Sequence, residues 1–239
     1  PDYKIGIEFN GNYWHSEFKK ENVYHQNKSL LAESKNIFIY NIFEYEWEDE
    51  NKKQKILNQL KNILQLNSEK IYARKCNVQI VNKKDKKDFI NINHIQGDSS
   101  SSIDIGLYYN TTLVAVMTFS KPRFNKNCNY ELVRYCSKSN TNIIGGASKL
   151  FKYFINNYMK TGEKCVSYSD ISKTKGNIYS RLGFLFVKIE YPNYVWCNGH
   201  NILSRYKCQM KNEIETMHNN NYFRIFDSGT KTWIYTKEN

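Results

Sequence analysis

Apolar and polar residues alternate over Lys4-Ile-Gly-Ile-Glu-Phe9, a period of two that predicts a strand, and Asn10-Gly11 is a strong signal for the turn that ends it. Tyr24 opens a helical pattern in which His25 and Lys28, three residues apart, share a face. The apolar run 37–43 predicts a buried strand that ends in the acidic Glu44-Tyr-Glu46-Trp47. Over 51–64, Ile56, Leu57, Leu60, Ile63 and Leu64 recur at helical spacing, which predicts a helix with one apolar face. The polar stretch 65–70 then reads as a domain boundary.

Beyond it the pattern predicts a strand over 72–81 and a short charged helix over 84–92. A loop with His94, Gln96, Gly97 and a serine run follows. Strands over 103–109 and 113–119 are joined across Asn110-Thr-Thr as a hairpin, and 130–136 is a further strand. A helix begins at Gly145 with Leu150, Phe151, Phe154 and Ile155 on one face. A strand over 164–169, a short helix over 176–182 ended by Gly183, and a strand over 184–191 complete the run. The tail reads as a helix near 213–217 and a closing hairpin over 222–235 turning at Ser228-Gly229.

No apolar run approaches the ~18 residues a membrane span needs, and no signal peptide is visible, so a soluble, cytoplasmic protein without a membrane partner is expected. The net charge of +12 is unevenly spread. Residues 1–70 carry 10 Lys and Arg against 11 Asp and Glu, whereas 71–239 carry 25 against 12. A basic, aromatic-rich stretch fits DNA, whose counterions Lys and Arg displace and whose bases Tyr and Trp stack on; a merely solvated basic face has the same composition. Six cysteines form no Cys-x-x-Cys pair, so reduced, buried thiols are expected. Cys197, His200, Cys208 and His218 are the nearest approach to a zinc site, at spacings that fit no standard finger.

Glu8 at a strand end and His15 just past the turn can be a satisfied polar pair, or a carboxylate for Mg²⁺ beside a proton-transferring imidazole. The assembly Ile-Glu8-Phe-Asn-Gly, Tyr-Trp-His15, His25-x-x-Lys28 and Ile-Phe-Glu44-x-Glu46-Trp resembles the Vsr-like branch of the PD-(D/E)XK nucleases, including phage homing endonucleases. The resemblance covers residues 1 to about 64. It implies Glu8 as the metal ligand, His15 and His25 as catalytic histidines, and Lys28 as a phosphate contact. The family's first catalytic Asp would precede Pro1, and Asp2 is a poor substitute, so a truncated domain or a fragment is expected.

The second stretch runs strand, helix, three antiparallel strands, helix, strand, helix, strand, with a glycine-rich entry to its second helix. That order resembles the GNAT acyltransferases, and Asn142-Ile-Ile-Gly145-Gly146-Ala147 resembles their pyrophosphate loop. Small residues at a helix start let backbone N–H groups approach a phosphate closely. Ser167-Tyr-Ser-Asp170, Lys175-Gly-Asn-Ile-Tyr179, Leu182-Gly-Phe184 and Glu131-Leu-Val-Arg134-Tyr are similar to Mom-like GNAT proteins, which modify adenine in DNA. By that resemblance Asp170 and Tyr179 would be catalytic or base-facing, with Ser167 and Arg134 supporting them. Alternatively Tyr179 and Leu182 are core contacts and Asp170 a helix N-cap. His94 could be a base near neutrality or part of a surface loop. Arg205, Lys207 and Lys211, with Tyr206, form a basic and aromatic strip expected to touch DNA or to cap the sheet.

The sequence therefore predicts an α/β (α+β) chain. A truncated restriction-endonuclease-like domain (1–68) is followed by a GNAT-like mixed, mainly antiparallel sheet flanked by helices (71–197) and a C-terminal extension (198–239). The expected function is a phage-type, Mg²⁺-dependent DNA endonuclease whose basic part grips DNA. The alternatives are a GNAT acyltransferase using acetyl-CoA or a related donor on nucleobases, and a DNA-binding protein with neither activity.

Overall fold

The structure is a computed structural model that describes residues 3–67, 69–199 and 201–238. In chain order the elements are β1 Ile5–Asn10, α1 Tyr24–Ser34, β2 Phe38–Phe43, α2 Glu44–Trp47, α3 Glu50–Ile63, β3 Glu69–Tyr72, β4 Asn77–Ile80, α4 Lys83–Asn93, β5 Ile103–Tyr109, β6 Thr112–Ser120 and β7 Tyr130–Ser137. They continue with β8 Thr141–Ile144, α5 Gly146–Tyr158, β9 Lys164–Asp170, α6 Asn177–Arg181, β10 Leu185–Ile189, β11 Tyr194–Cys197, β12 Ile202–Ser204, α7 Glu213–Asn219, β13 Phe223–Phe226 and β14 Thr230–Thr236.

Contacts divide the chain into two units: Pro1–Lys53, Ser169–Gly176 and Lys188–Lys231 form the first, and Gln54–Tyr168, Asn177–Val187 and Thr232–Asn239 the second. The expected consecutive segments are not how the contacts fall. The change comes inside α3 rather than at 65–70, and β9, β10 and β14 each have residues in both units.

In the first unit β1 and β2 form a parallel pair from Ile5↔Phe38 to Asn10↔Phe43. Tyr40, Ile42 and Phe43 are buried, whereas Ile7 and Phe9 of β1 are exposed. Lys173 is buried, its ammonium held by the Asn41 carbonyl and the Glu46 carboxylate, each at 2.6 Å. A three-stranded sheet of order β12-β11-β13 carries the buried Trp196, whose indole N–H donates to Glu213 at 2.8 Å at the start of α7. The hairpin expected over 222–235 is not formed: β13 pairs with β11, while β14 lies between β10 and β9. The Asp227 carboxylate explains the redirection, accepting the N–H groups of Gly229 (2.7 Å) and Asn193 (2.9 Å) and so turning the chain at left-handed Gly229 without reversing it upon β13.

The second unit is built on a sheet of order β10-β14-β9-β7-β6-β5-β4. Its fold is mixed α/β, with β4 to β7 antiparallel. Phe119 faces α5, whose Leu150, Phe151 and Phe154 are all buried; Phe119 and Phe154 stack with centroids 3.5 Å apart at 5°. Each such side chain contributes about 1.5–3 kcal/mol by leaving water. On the other side α4 buries Ile90 against Val116 and Cys136.

The strand expected over 72–81 is two strands. Ala73–Lys75 makes a 3₁₀ turn that buries Ala73 and Cys76; β3 before it pairs in parallel with β8, and β4 after it pairs with β5. Lys149 fixes the turn by donating to the carbonyls of Ala73 and Cys76.

Between β6 and β7 the register passes from Thr118↔Arg134 to Phe119↔Leu132, so Val133 is an extra residue and β7 is bulged there. The parallel pairing of β7 with β9 covers Tyr130↔Cys165 and Glu131↔Val166 and stops where the bulge begins. A bulge bends and twists its strand, and here it parts the two strands.

Truncating Phe154 would empty the centre of the layer between α5 and the sheet. Phe154→Ala is expected to lower unfolding stability by about 3–5 kcal/mol in urea titration, and a loss below about 1 kcal/mol would show that this seam is not the core.

Candidate functional site

Just past the last paired residues of β7 and β9, Ser167 Oγ on β9 donates to the Leu132 carbonyl at 2.9 Å. The same hydroxyl lies 3.1 Å from the Tyr179 hydroxyl, which donates to the Tyr168 carbonyl at 3.3 Å. Tyr179 stacks on Trp233 (5.6 Å, 17°) and meets Phe184 edge-on. The core packing and the polar fork are thus served by the two ends of one side chain. Burial raises the Tyr179 pKa, while Ser167 and then Arg134 pull against the shift, so the phenol keeps its proton at neutral pH.

Arg134 borders the fork. Its Nε donates to the Gly97 carbonyl at 3.1 Å and its Nη1 to the carbonyl of the bulged Val133 at 2.9 Å. Gly97 has φ +66 and a Cβ there would meet Asn91 Oδ1 at 3.2 Å, so this turn favours glycine. Burial first, then Arg134 and Lys55, push His94 down to about 3. His94 is therefore a neutral ring, and its Nδ1 accepts the Gln96 N–H at 3.2 Å.

β8 leads into Gly145, which caps α5 in the left-handed region with φ 78. Gly146 is small for another reason: a Cβ there would meet Ile143 Cγ2 at 2.7 Å. No acidic residue stands in the first turn and no side chain caps the helix, so its N–H groups face outward with the positive end of the helix dipole. The Tyr135 hydroxyl lies beside this start, 3.3 Å from where a Cβ on Gly146 would sit. Asn142 is exposed on β8. Tyr135 went unnoticed in the sequence, where it reads only as one more aromatic residue of β7.

In the first unit the residues expected to cut DNA do come together. Lys28 pairs with Glu8 Oε1, and His15 Nδ1 lies 3.2 Å from His25 Nε2 with the two rings stacked. His25 is 3% exposed and its Nδ1 has no partner among the described residues; Glu8 Oε2 is likewise buried without one. Burial, then the positive neighbours His15, Lys28 and Lys20, push His25 down to about 3. His15 is lowered mainly by burial, against the pull of Glu8.

Asp170 accepts the Ser172 N–H at 2.8 Å, the local capping role weighed against a catalytic one. It lies among Lys173, Glu46 and Asp227, and burial raises its pKa. Burial and then Asp170 push Asp227 up to about 7. Arg205 sits over the Tyr194 ring at 5.2 Å, and Arg205, Tyr206, Lys207 and Lys211 are exposed. Among the described residues no three His, Cys, Asp or Glu side chains gather where a metal ion could sit. The free carboxylate oxygen of Glu8, where Mg²⁺ was expected, accordingly has no companion ligands among the described residues, and Cys197, Cys208 and His218 form no such group there. His200 and Asp2 lie outside the described residues. Among the described residues no helix is long and apolar enough to cross a membrane.

No protein family's profile matches the chain, and no curated protein matches it. Solved structures similar to it include a GNAT-family acetyltransferase from Bacillus cereus (13% identity, TM-score 0.40, covering 69% of this chain and 99% of that one). A protein described as an acetyltransferase from Salmonella typhimurium, with its cofactor acetyl-CoA, is 10% identical with TM-score 0.41, covering 68% and 94%. An N-acetyltransferase from Staphylococcus aureus is 16% identical with TM-score 0.35, covering 67% and 97%. The endonuclease expectation is corrected by this finding, since these structures are acetyltransferases and none of the comparisons shows a Vsr-like nuclease domain. The second unit's own sheet is mixed, mainly antiparallel and flanked by helices.

Histidine burial makes a linkage prediction. With a folded pKa of about 3 and an unfolded one near 6.5, the unfolded chain binds the extra proton between those values. Stability from His25 is complete above about pH 6.5 and falls by up to about 1.4 kcal/mol per unit as pH drops toward 3. The NMR signal of the His25 ring should stay flat from pH 8 to about 5; an inflection near 6.5 would defeat the assignment.

Proposed function

We propose that the second unit is a GNAT-type acyltransferase that takes an acyl-CoA donor at the start of α5 and carries out transfer in the fork between β7 and β9. The observation that carries the reading is the pairing of two features on one continuous stretch of chain. The bulged strand β7 departs from β9 at the fork, and the chain then passes through β8 into an uncapped helix start. Donor phosphates fit the outward Gly146 and Ser148 N–H groups, with Gly145 and Gly146 keeping side chains out of the way. An acyl-CoA supplies a thioester whose C–S bond breaks as the acyl carbon bonds to a nucleophile of the acceptor.

The chain's own contribution is proton handling and alignment. Tyr179 holds a proton on its hydroxyl at neutral pH, where a departing sulfur can take it, and the proton lost by the acceptor restores the balance. Ser167 fixes the phenol oxygen from one side and the Tyr168 carbonyl from the other. Arg134, bound to Gly97 and Val133, holds the loop over 94–102 against the fork.

Acetyl-CoA at a hundred times its Kd is expected to stabilise the fold by about 2.7 kcal/mol, a rise in melting temperature of roughly 5–10 °C. Gly146→Val should abolish that rise by placing a side chain against Ile143. Tyr179→Phe keeps the ring packing, so it should retain the rise while lowering kcat by about 10²–10⁴. The reading fails if millimolar acetyl-CoA leaves the melting temperature of the wild-type protein unchanged.

A further inference from the structure

An open pocket of about 640 Å³ lies in the second unit between α4 and the loop that follows it. Lys83, Lys86, Lys87, Asp98 and the serine run 99–101 line it. Lys86 is 3% exposed, its ammonium held by Asp98 Oδ1 at 2.7 Å and the Ser99 carbonyl at 3.2 Å. Lys83 donates to the Ser101 carbonyl at 2.8 Å and to Asp104 at 2.6 Å, and Ser101 Oγ donates to the other Asp104 oxygen at 2.5 Å. The serine run is thus fixed at both ends, by Asp98 on Lys86 and by Ser101 on Asp104. Lys87 forms no ion pair among the described residues and is exposed. The first turn of α4 holds Lys83, Lys84 and Lys86 against the single acidic Asp85, an excess of positive charge at the positive end of the helix dipole.

The pocket adjoins the fork. Asp104, Thr118 and Arg134 are direct cross-strand partners on β5, β6 and β7, and so lie in a row on one face of the sheet. Asp104 forms the base under Lys83, and Arg134 borders the fork at the other end. Between them Thr118 is fully buried and its hydroxyl has no partner among the described residues. Two strand spacings, about 10 Å in all, separate the ends of the row. The loop makes the same connection, since Asp98 lines the pocket while the Gly97 carbonyl is held by Arg134.

From this juxtaposition we propose that the lysine and serine pocket binds a phosphate group. Resting on the acyltransferase reading, that phosphate belongs to the acceptor and places its nucleophile in the fork. Ammonium groups and serine hydroxyls are the donors a phosphate oxygen accepts from, and the single lining carboxylate, Asp98, is already neutralised by Lys86.

The test reads binding with no acyl donor present, so the pocket and the donor reading fail separately. Calorimetry is run with inorganic phosphate, adenosine 5′-monophosphate and a short single-stranded oligodeoxynucleotide, on the wild type, Lys87→Glu and Lys84→Glu. Lys84 is the control, an exposed lysine of the same helical turn that does not line the pocket. Lys87→Glu should weaken binding at least about tenfold, the worth of one charge-assisted contact, and Lys84→Glu should leave it nearly unchanged. Binding of the mononucleotide identifies a monoester ligand; binding of the oligonucleotide alone identifies a diester backbone. Either supports the site. Absence of saturable binding below about 1 mM, or equal losses in the two variants, overturns it.

Discussion

One inserted residue, Val133, governs the geometry of the second unit. The ladder between β7 and β9 is parallel and two residue pairs long, and it ends where the bulge begins. Had the register run on, Leu132 would have faced Ser167 as the next rung. Instead a side chain, Ser167, supplies the hydrogen bond, and it carries the Tyr179 hydroxyl with it. Buried carbonyls must be satisfied, so a strand can leave its neighbour only where a side chain replaces the missing N–H. The polar groups of the fork are therefore paired through the side chains of Ser167 and Tyr179.

Electrostatics in the two units take different forms. In the first, ion pairs consume what looks reactive: Lys28 holds one oxygen of Glu8, and Lys173 spans Glu46 and the Asn41 carbonyl. His25 is neutral there because the ring is buried among cations. In the second unit Arg134 donates to two backbone carbonyls and forms no ion pair with a carboxylate among the described residues, so its charge remains in the field of the fork. The opposing pull of Arg134 on the Tyr179 pKa is one consequence, and the lowered His94 is another.

Much of the fold was legible where one period dominated. The amphipathic helix α5, the hairpin β5–β6 turning at left-handed Asn110, and the buried strand β2 follow directly from apolar spacing. Short elements defeated the same method. β3, β8, β11 and β12 span three or four residues each, too few to show a period, and β3 with β8 is a pairing between distant segments. The destination of β14 was illegible because Asp227 and Gly229 look, in one dimension, like any hairpin turn. At the sites, proximity was legible and chemistry was not. His-x-x-Lys places His25 and Lys28 on one helix face, yet nothing in that spacing says that Lys28 occupies the carboxylate a metal would need. The serine run read only as loop, since its meaning comes from lysines some fifteen residues earlier.

The glycine pair shows why a motif is best read position by position. Gly145 is required by its backbone, φ 78, with only an ordinary contact at Ala73 Cβ (3.7 Å). Gly146 needs no unusual backbone but has no room, with Ile143 Cγ2 at 2.7 Å. A residue such as Asn, which tolerates the left-handed region, could therefore serve at Gly145 but not at Gly146. Asn142 has neither constraint, being exposed on the two-stranded pairing of β3 with β8. Beside this helix start lies the Tyr135 hydroxyl, 3.3 Å from where a Cβ on Gly146 would sit. Any group approaching the start of α5 therefore meets a phenol oxygen as well as backbone N–H groups, a neighbour that is invisible in the letters of the motif and that a position-by-position reading of the fold brings out.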